Sequence, residues 1–193
     1  MNLAIILGAS TPPGRLAHVV ATVAALTQTG DSPALAAVID LGATPVEFCD
    51  GRPLDSYGES TQSALASVMG ASAVILASPV YRATYSGVLK NFLDLLPLES
   101  LHGKPIGIVA LGASPHHYLG VDHGLRTVLD WFGALVAPTS VYLTSQQFQD
   151  GKLSSELARS ELADLLDTVK QLVTCSSGKR CGPLPLAARR GPS

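Results

Sequence analysis

Short apolar runs rich in Ile, Val, Leu and Ala alternate along this chain with longer stretches of helical period, and that alternation admits few folds. An apolar run bounded by turn residues reads as a strand buried on both faces, and a stretch with apolar residues three and four apart reads as a helix that covers it. Strands are expected at Asn2–Leu7, Leu35–Leu41, Ser72–Ala77, Lys104–Leu111 and Val136–Leu143. Helices are expected between and after them, at Arg15–Thr27, Glu59–Met69, Tyr85–Leu96, Tyr118–Gly133 and Ser154–Val173. Strand and helix in strict alternation is the pattern of βα units on a parallel sheet.

Composition bounds this reading. A chain of 193 residues with 47% hydrophobic content and a mean hydropathy of +0.31 can bury one sizeable core, and no repeat or linker divides it. One domain over residues 1–174 is expected, followed by a tail at 175–193. The Ser-Ser-Gly, Gly-Pro-Leu-Pro and Arg-Arg-Gly-Pro runs of that tail carry neither period, so it is expected to be disordered. A net charge of −2 and a pI near 6.2 provide no long-range field for nucleic acid or an anionic membrane. The run Met1–Leu7 lacks a basic flank and is too short to span a bilayer. Cys49, Cys175 and Cys181 are odd in number and lack metal-ligand spacing, which points to a reducing, cytoplasmic setting.

Five such strands fit a flavodoxin-like three-layer α/β sandwich, a parallel sheet of order 2-1-3-4-5 whose strand order reverses between strands one and three. Ligands of such sheets sit at the carboxyl ends of the strands beside that switch point. Loop one there is Gly8-Ala9-Ser10-Thr11-Pro12-Pro13-Gly14-Arg15. Its hydroxyls, its glycines, Arg15 and the free N–H groups of the following helix suit a phosphomonoester, although the same residues would also make an ordinary tight βα connection. It is neither G-x-G-x-x-G nor a phosphate loop ending in Gly-Lys-Ser/Thr. Loop three, from Ser78-Pro79-Val80-Tyr81-Arg82 to Tyr85-Ser86-Gly87, brings a flat ring, a cation and hydroxyls together. Tyr81 can stack on a planar ligand or merely roof a helix end, and Arg82 can face the ligand or solvent. His116, His117, Asp122 and His123 lack the spacing of a zinc site, so no metal is expected. Neither Ser86 nor Ser114 lies in a G-x-S-x-G elbow, which argues against a hydrolase.

These loops resemble the NAD(P)H-dependent FMN reductases of flavodoxin-like fold, particularly those serving alkanesulfonate and methanesulfonate monooxygenases. The resemblance spans about Asn2 to Leu153 and is most specific in Ser78-Pro79-Val80-Tyr81-Arg82, Tyr85-Ser86-Gly87-Val88-Leu89-Lys90 and Leu93-Asp94-Leu95-Leu96. A second block, Gly112-Ala113-Ser114-Pro115-His116-His117 with Val121-Asp122-His123 and Leu125-Arg126, is similar to the family's fourth loop and its helix. The resemblance implies FMN as flavin and NADPH or NADH as hydride donor. It places Ser10, Thr11 and Arg15 around the phosphate, Pro79, Val80, Tyr81, Arg82 and Ser86 around the isoalloxazine, and Gly112, Ala113 and Ser114 on the ring's far edge. It names no catalytic acid or base, because hydride transfer needs ring stacking and exclusion of water. It further implies a homodimer or homotetramer with the His123 helix at the interface, His123 lying at a π-helical insertion, and a flavin-dependent monooxygenase as partner. Gly14 and Leu16 stand where the family often has Ser or Thr, and Ala113 replaces a glycine, which implies a modest grip on phosphate. The competing activity is a flavin-bound NAD(P)H quinone or azo reductase. An electron-carrying flavodoxin fits less well, because such carriers are strongly acidic.

Overall fold

The computed structural model describes residues 1–10, 14–29, 33–176 and 183–184. Its central sheet is parallel and has the order β2-β1-β3-β4-β5. The strands are β1 (Asn2–Leu7), β2 (Leu35–Asp40), β3 (Ala73–Pro79), β4 (Pro105–Leu111), β5 (Leu135–Val136) and β6 (Val141–Leu143), and β6 also pairs with β4. The helices are α1 (Arg15–Leu26), α2 (Glu59–Met69), α3 (Gly87–Leu95), α4 (Tyr118–Phe132) and α5 (Glu156–Ser176). No helix among the described residues is long and apolar enough to cross a membrane.

Alternation along the strands builds the three layers. Successive side chains of a strand point to opposite faces. Ala4 and Ile6 of β1 and Val74 and Leu76 of β3 therefore join one core with α2, α3 and α4, through Leu65, Phe92, Leu93, Leu125 and Leu129. Leu3, Ile5 and Leu7 of β1 and Ile75 of β3 join the other core with α1 and α5, through Val19, Val23, Leu162 and Val169. Both faces are dry, which is why these strands read as continuous apolar runs.

Four local differences from the sequence reading have physical causes. The fifth strand, expected as Val136–Leu143, is two short strands, because Pro138 has no N–H to give the ladder. The carbonyls of Ala137 and Pro138 at the break accept instead from Arg126 Nη2 at 2.9 and 3.2 Å. Between Leu143 and Ser154 lies an antiparallel hairpin that the apolar pattern does not show, with Phe148–Gln149 (β7) against Lys152–Leu153 (β8). It turns at Asp150 and Gly151, both with positive φ, the dipeptide that favours a tight hairpin turn. The expected π-helical insertion at His123 is absent, since α4 is regular α-helix throughout and His123 is exposed on it. Finally, α5 continues to Ser176, so Cys175 and Ser176 belong to the helix and not to the expected tail. The rest of that tail lies outside the described residues, apart from Pro183 and Leu184.

Arg126 is the side chain that ties α4 to the broken strand. Its Nε donates to both oxygens of the buried Asp122 carboxylate, at 2.6 and 3.0 Å. Removing it leaves a nearly buried carboxylate and two carbonyls without their donor, a change that costs more than the bonds themselves. Arg126→Ala is expected to lose about 2 kcal/mol in urea unfolding. A change within about 0.5 kcal/mol, the range of an ordinary surface substitution, would contradict this role.

Candidate functional site

Loops one, three and four converge at the carboxyl ends of β1, β3 and β4. Leu7 pairs with Ala77 across β1 and β3, and Pro79 pairs with Leu111 across β3 and β4. Ser78 and Pro79, expected on a loop, are the last two residues of β3. The N–H of Gly8 donates to Ala77 C=O at 2.8 Å, and that of Val80 to Leu111 C=O at 2.8 Å, so the backbone alone aligns the three loop bases.

Two buried hydroxyls then fasten loop one to loop three. Ser86 is the N-cap of α3, its Oγ accepting from the N–H of Leu89 at 3.2 Å while donating to Gly8 C=O at 2.5 Å. Ser78 Oγ accepts the N–H of Ser86 at 3.0 Å and donates to Pro79 C=O at 2.9 Å. Ser78 and Ser86 are 0% and 1% exposed. Ser86, expected around a ring ligand, thus has its hydroxyl turned into the fold and spent on the loops. A serine three residues before a buried leucine at the head of an apolar run is the N-cap signature that would have found this role.

Between these anchors the chain makes a two-residue reversal. Tyr81 and Thr84 exchange backbone hydrogen bonds at 2.8 and 3.1 Å around Arg82 and Ala83, whose φ angles are +49° and +65°. Consecutive left-handed residues make a tight turn usually built from Asn and Gly, and for residues with a Cβ this backbone costs roughly 1–2 kcal/mol each. The turn carries Tyr81 out of the fold with 41% of its surface open. Arg82 is exposed at its tip.

Loop one presents the positive end of a helix. Gly14, the N-cap of α1, offers no side-chain hydrogen bond, and the first turn holds no acid. The N–H groups of Arg15 and Leu16 donate to nothing among the described residues. Arg15, the first helical residue, is exposed and lies in no ion pair among them, and Ser10 is exposed before it. Thr11, expected beside the phosphate, lies outside the described residues. Loop four is held from beneath by Tyr142, whose hydroxyl donates to Ser114 C=O at 2.7 Å. A Cβ on Gly112 would stand 1.8 Å from that hydroxyl, so a larger residue there would push the Tyr142 ring aside and break its bond to loop four. Burial raises the pKa of the Tyr142 phenol, which extends its range as a donor further into alkaline pH. Ala113 is exposed and Ser114 half-buried, with exposed His116 and His117 following. Tyr142 escaped the sequence reading, because it sits on a short strand remote from the loop it supports. The His116, His117, Asp122 and His123 group does not converge, Asp122 pointing inward to Arg126 while His123 faces out. No three metal-ligating side chains gather among the described residues.

The three loops contain no carboxylate at any position and carry Arg15 and Arg82. An uncompensated helix N-terminus beside an arginine suits an anion such as a phosphomonoester, and an open tyrosine ring on a rigid rim suits a planar heterocycle. These donors fit a flavin mononucleotide.

Known proteins similar to this chain are flavin reductases. The family model described as NADPH-dependent FMN reductase matches residues 1–149. The chain is 36% identical over 129 residues to an NAD(P)H-dependent FAD/FMN reductase of Geobacillus thermodenitrificans, an alignment covering 66% of this chain and 70% of that one. It is 36% identical over 101 residues to the NADH-dependent FMN reductase SfnF of Pseudomonas fluorescens, covering 52% of this chain and 54% of the relative, about half its length. Among solved structures, the apo form of the NADH:FMN oxidoreductase EmoB superposes with a TM-score of 0.73 at 26% identity, covering 92% of this chain and 91% of that one.

The hydroxyl arrangement generates a test. Ser86→Ala removes a helix cap and strips a buried carbonyl of its donor, and is expected to lower stability by about 2 kcal/mol in urea unfolding. A variant with parental stability but weakened flavin binding would instead place this hydroxyl in the open crevice.

Proposed function

The chain belongs to the NADPH-dependent FMN reductase family, and from that premise we propose that it oxidises NADPH or NADH with FMN as a substrate that turns over. The reduced flavin passes to a separate flavin-dependent monooxygenase in the cytoplasm. The observation that carries this reading is the union, at one switch point, of carboxylate-free loops, an uncapped α1 N-terminus with Arg15, and the open ring of Tyr81.

In this reading Ser10, Thr11 and Arg15 hold the phosphate, the backbone from Pro79 to Arg82 and the Tyr81 ring hold the isoalloxazine, and Gly112, Ala113 and Ser114 close its far edge. Bound FMN supplies the hydride acceptor. The protein's part is to align the two rings and keep water out, and no side chain has to move a proton during hydride transfer. Arg82 places a positive charge beside the ring that gains electrons. The phosphate grip rests on backbone N–H groups, the Ser10 and Thr11 hydroxyls and one arginine, with glycine at the cap where a further hydroxyl would add a donor, which suits a ligand that must leave.

A second subunit would complete the crevice from outside. Tyr118, Leu119 and Trp131 of α4 are 55%, 54% and 61% exposed, and with His123, Thr127 and Asp130 they give this helix a mixed apolar and polar outer side for a homodimer or homotetramer. Residues 1–174 act as the reductase domain, with 175–193 taking no part in the chemistry.

The activity test is nicotinamide oxidation against added FMN. The purified protein is expected to be largely colourless, with NADPH or NADH oxidation that saturates in FMN and supports a flavin-dependent monooxygenase in a mixed assay. A yellow protein that keeps its flavin on dialysis and reduces quinones or azo dyes faster than free FMN would replace this reading with a flavin-bound reductase. Arg15→Ala is expected to weaken FMN binding about tenfold while leaving riboflavin binding nearly unchanged, since a charge-assisted contact is worth roughly 1.5–3 kcal/mol and only FMN offers the phosphate. Equal losses for both ligands would remove the phosphate assignment.

A further inference from the structure

The strained turn of loop three is seated on α4 at two glycines. A Cβ on Gly120 would stand 2.6 Å from the carbonyl oxygen of Ala83 and 3.1 Å from its carbonyl carbon. A Cβ on Gly124 would stand 2.7 Å from Thr84 Oγ1 and 3.1 Å from the Tyr85 ring. The two glycines are four residues apart and share one helix face. Glycine inside a helix weakens it relative to alanine, so two of them in the first half of α4 need another reason to be there. At Gly120 neither backbone in the contact can easily yield. α4 is fixed by Val121, Leu125 and Leu129, each 0% exposed, and by the Asp122–Arg126 pair. The turn is pinned at its ends by the Tyr81–Thr84 bonds and by the buried N–H of Ser86.

We propose that Gly120 and Gly124 are positioning residues for flavin: they form the seat on which the Tyr81–Thr84 turn rests, and so set the position of the Tyr81 ring against the isoalloxazine. This rests on the reading of the crevice as an FMN site. Gly120 is the stricter of the two, because its methyl would meet backbone of a turn whose φ angles are already left-handed. At Gly124 the first atom met is a hydroxyl on a rotatable side chain. A flavin-stacking ring carried on a bare exposed turn would wander; carried on a turn wedged against a helix, it is preorganised.

The experiment is FMN titration by flavin fluorescence, with thermal unfolding of the same samples. Alanine in place of a helical glycine raises helix propensity, so a purely helical role predicts that Gly120→Ala binds FMN as the parent does and melts at the same or a higher temperature. The seat predicts about tenfold weaker FMN binding, most of the value of one ring-stacking contact, with weaker quenching of the bound flavin. Gly124→Ala is expected to lose about threefold, and it carries the test if Gly120→Ala fails to fold. In a Tyr81→Ala background the same glycine substitutions are expected to cause little further loss, because their effect runs through that ring. Undiminished binding in both glycine variants, or losses that persist in full without Tyr81, would overturn the seat while leaving the FMN site standing. A parent that binds no FMN would remove both.

Discussion

The buried hydroxyl relay from Ser78 through Ser86 to Gly8 is the interaction on which the architecture of the crevice depends. A parallel sheet brings the ends of β1 and β3 together, but loops leaving adjacent strands have no intrinsic reason to keep a fixed relation. Here one serine caps α3 and bonds the loop-one backbone, and the other receives the N–H of the first. Each neutral bond contributes only about 1 kcal/mol net, yet an unmet partner at this depth would cost as much or more, so the relay forms as a unit. With both ends of loop three fixed in this way, the chain between them can hold two left-handed residues that it would otherwise relax.

Charge is arranged as selectively as the hydrogen bonds. The chain carries a net −2, with 15 acidic residues against 13 Lys and Arg, yet none of those acids lies in the three loops. Two of them form a knot after β2. Glu47 accepts the backbone N–H of Gly58 and pairs with Arg52, and these bonds lower its pKa. Asp50 accepts from Arg52 and Tyr57, and Arg52 lies 4.2 Å from the centre of the Tyr57 ring. This knot secures the long connection after β2, which Asn91 of α3 also ties down by bonding Cys49 N–H and Glu47 C=O. The helix that closes the crevice floor thus also braces the connection beside it, and the crevice keeps its positive sign.

How much of this was legible in the sequence follows from the range of each interaction. Strand order and layering were readable because two-sided burial writes itself into the inner strands, as in Leu3–Leu7 and Val74–Ala77, whereas the apolar run of the edge strand β2 leaves Leu35 and Val38 exposed. The hairpin at Asp150-Gly151 and the break at Pro138 had local signals too, a turn dipeptide and a missing donor. The reversal at Arg82-Ala83 had none, since neither residue favours positive φ and it is held by the Tyr81–Thr84 bonds and by contacts with α4 and Ser86. Ser86 was read as a ligand contact because a hydroxyl's direction is set by partners 78 residues away, at Gly8. The wide helical turn at His123 came from family likeness alone and is not formed here. Assembly depends on the fit of two surfaces, of which the pattern of one chain describes only half.

The central claim is that a mononucleotide flavin binds where loops one, three and four meet. Hydrogen–deuterium exchange of the full chain, with and without saturating FMN, tests it most directly, because backbone protection reports the site without altering any side chain. The account predicts slowed exchange in peptides covering residues 8–16, 79–86 and 112–118, with the rest of the sheet unchanged. Protection confined to α2 and α5, or to the β7–β8 hairpin, would contradict it.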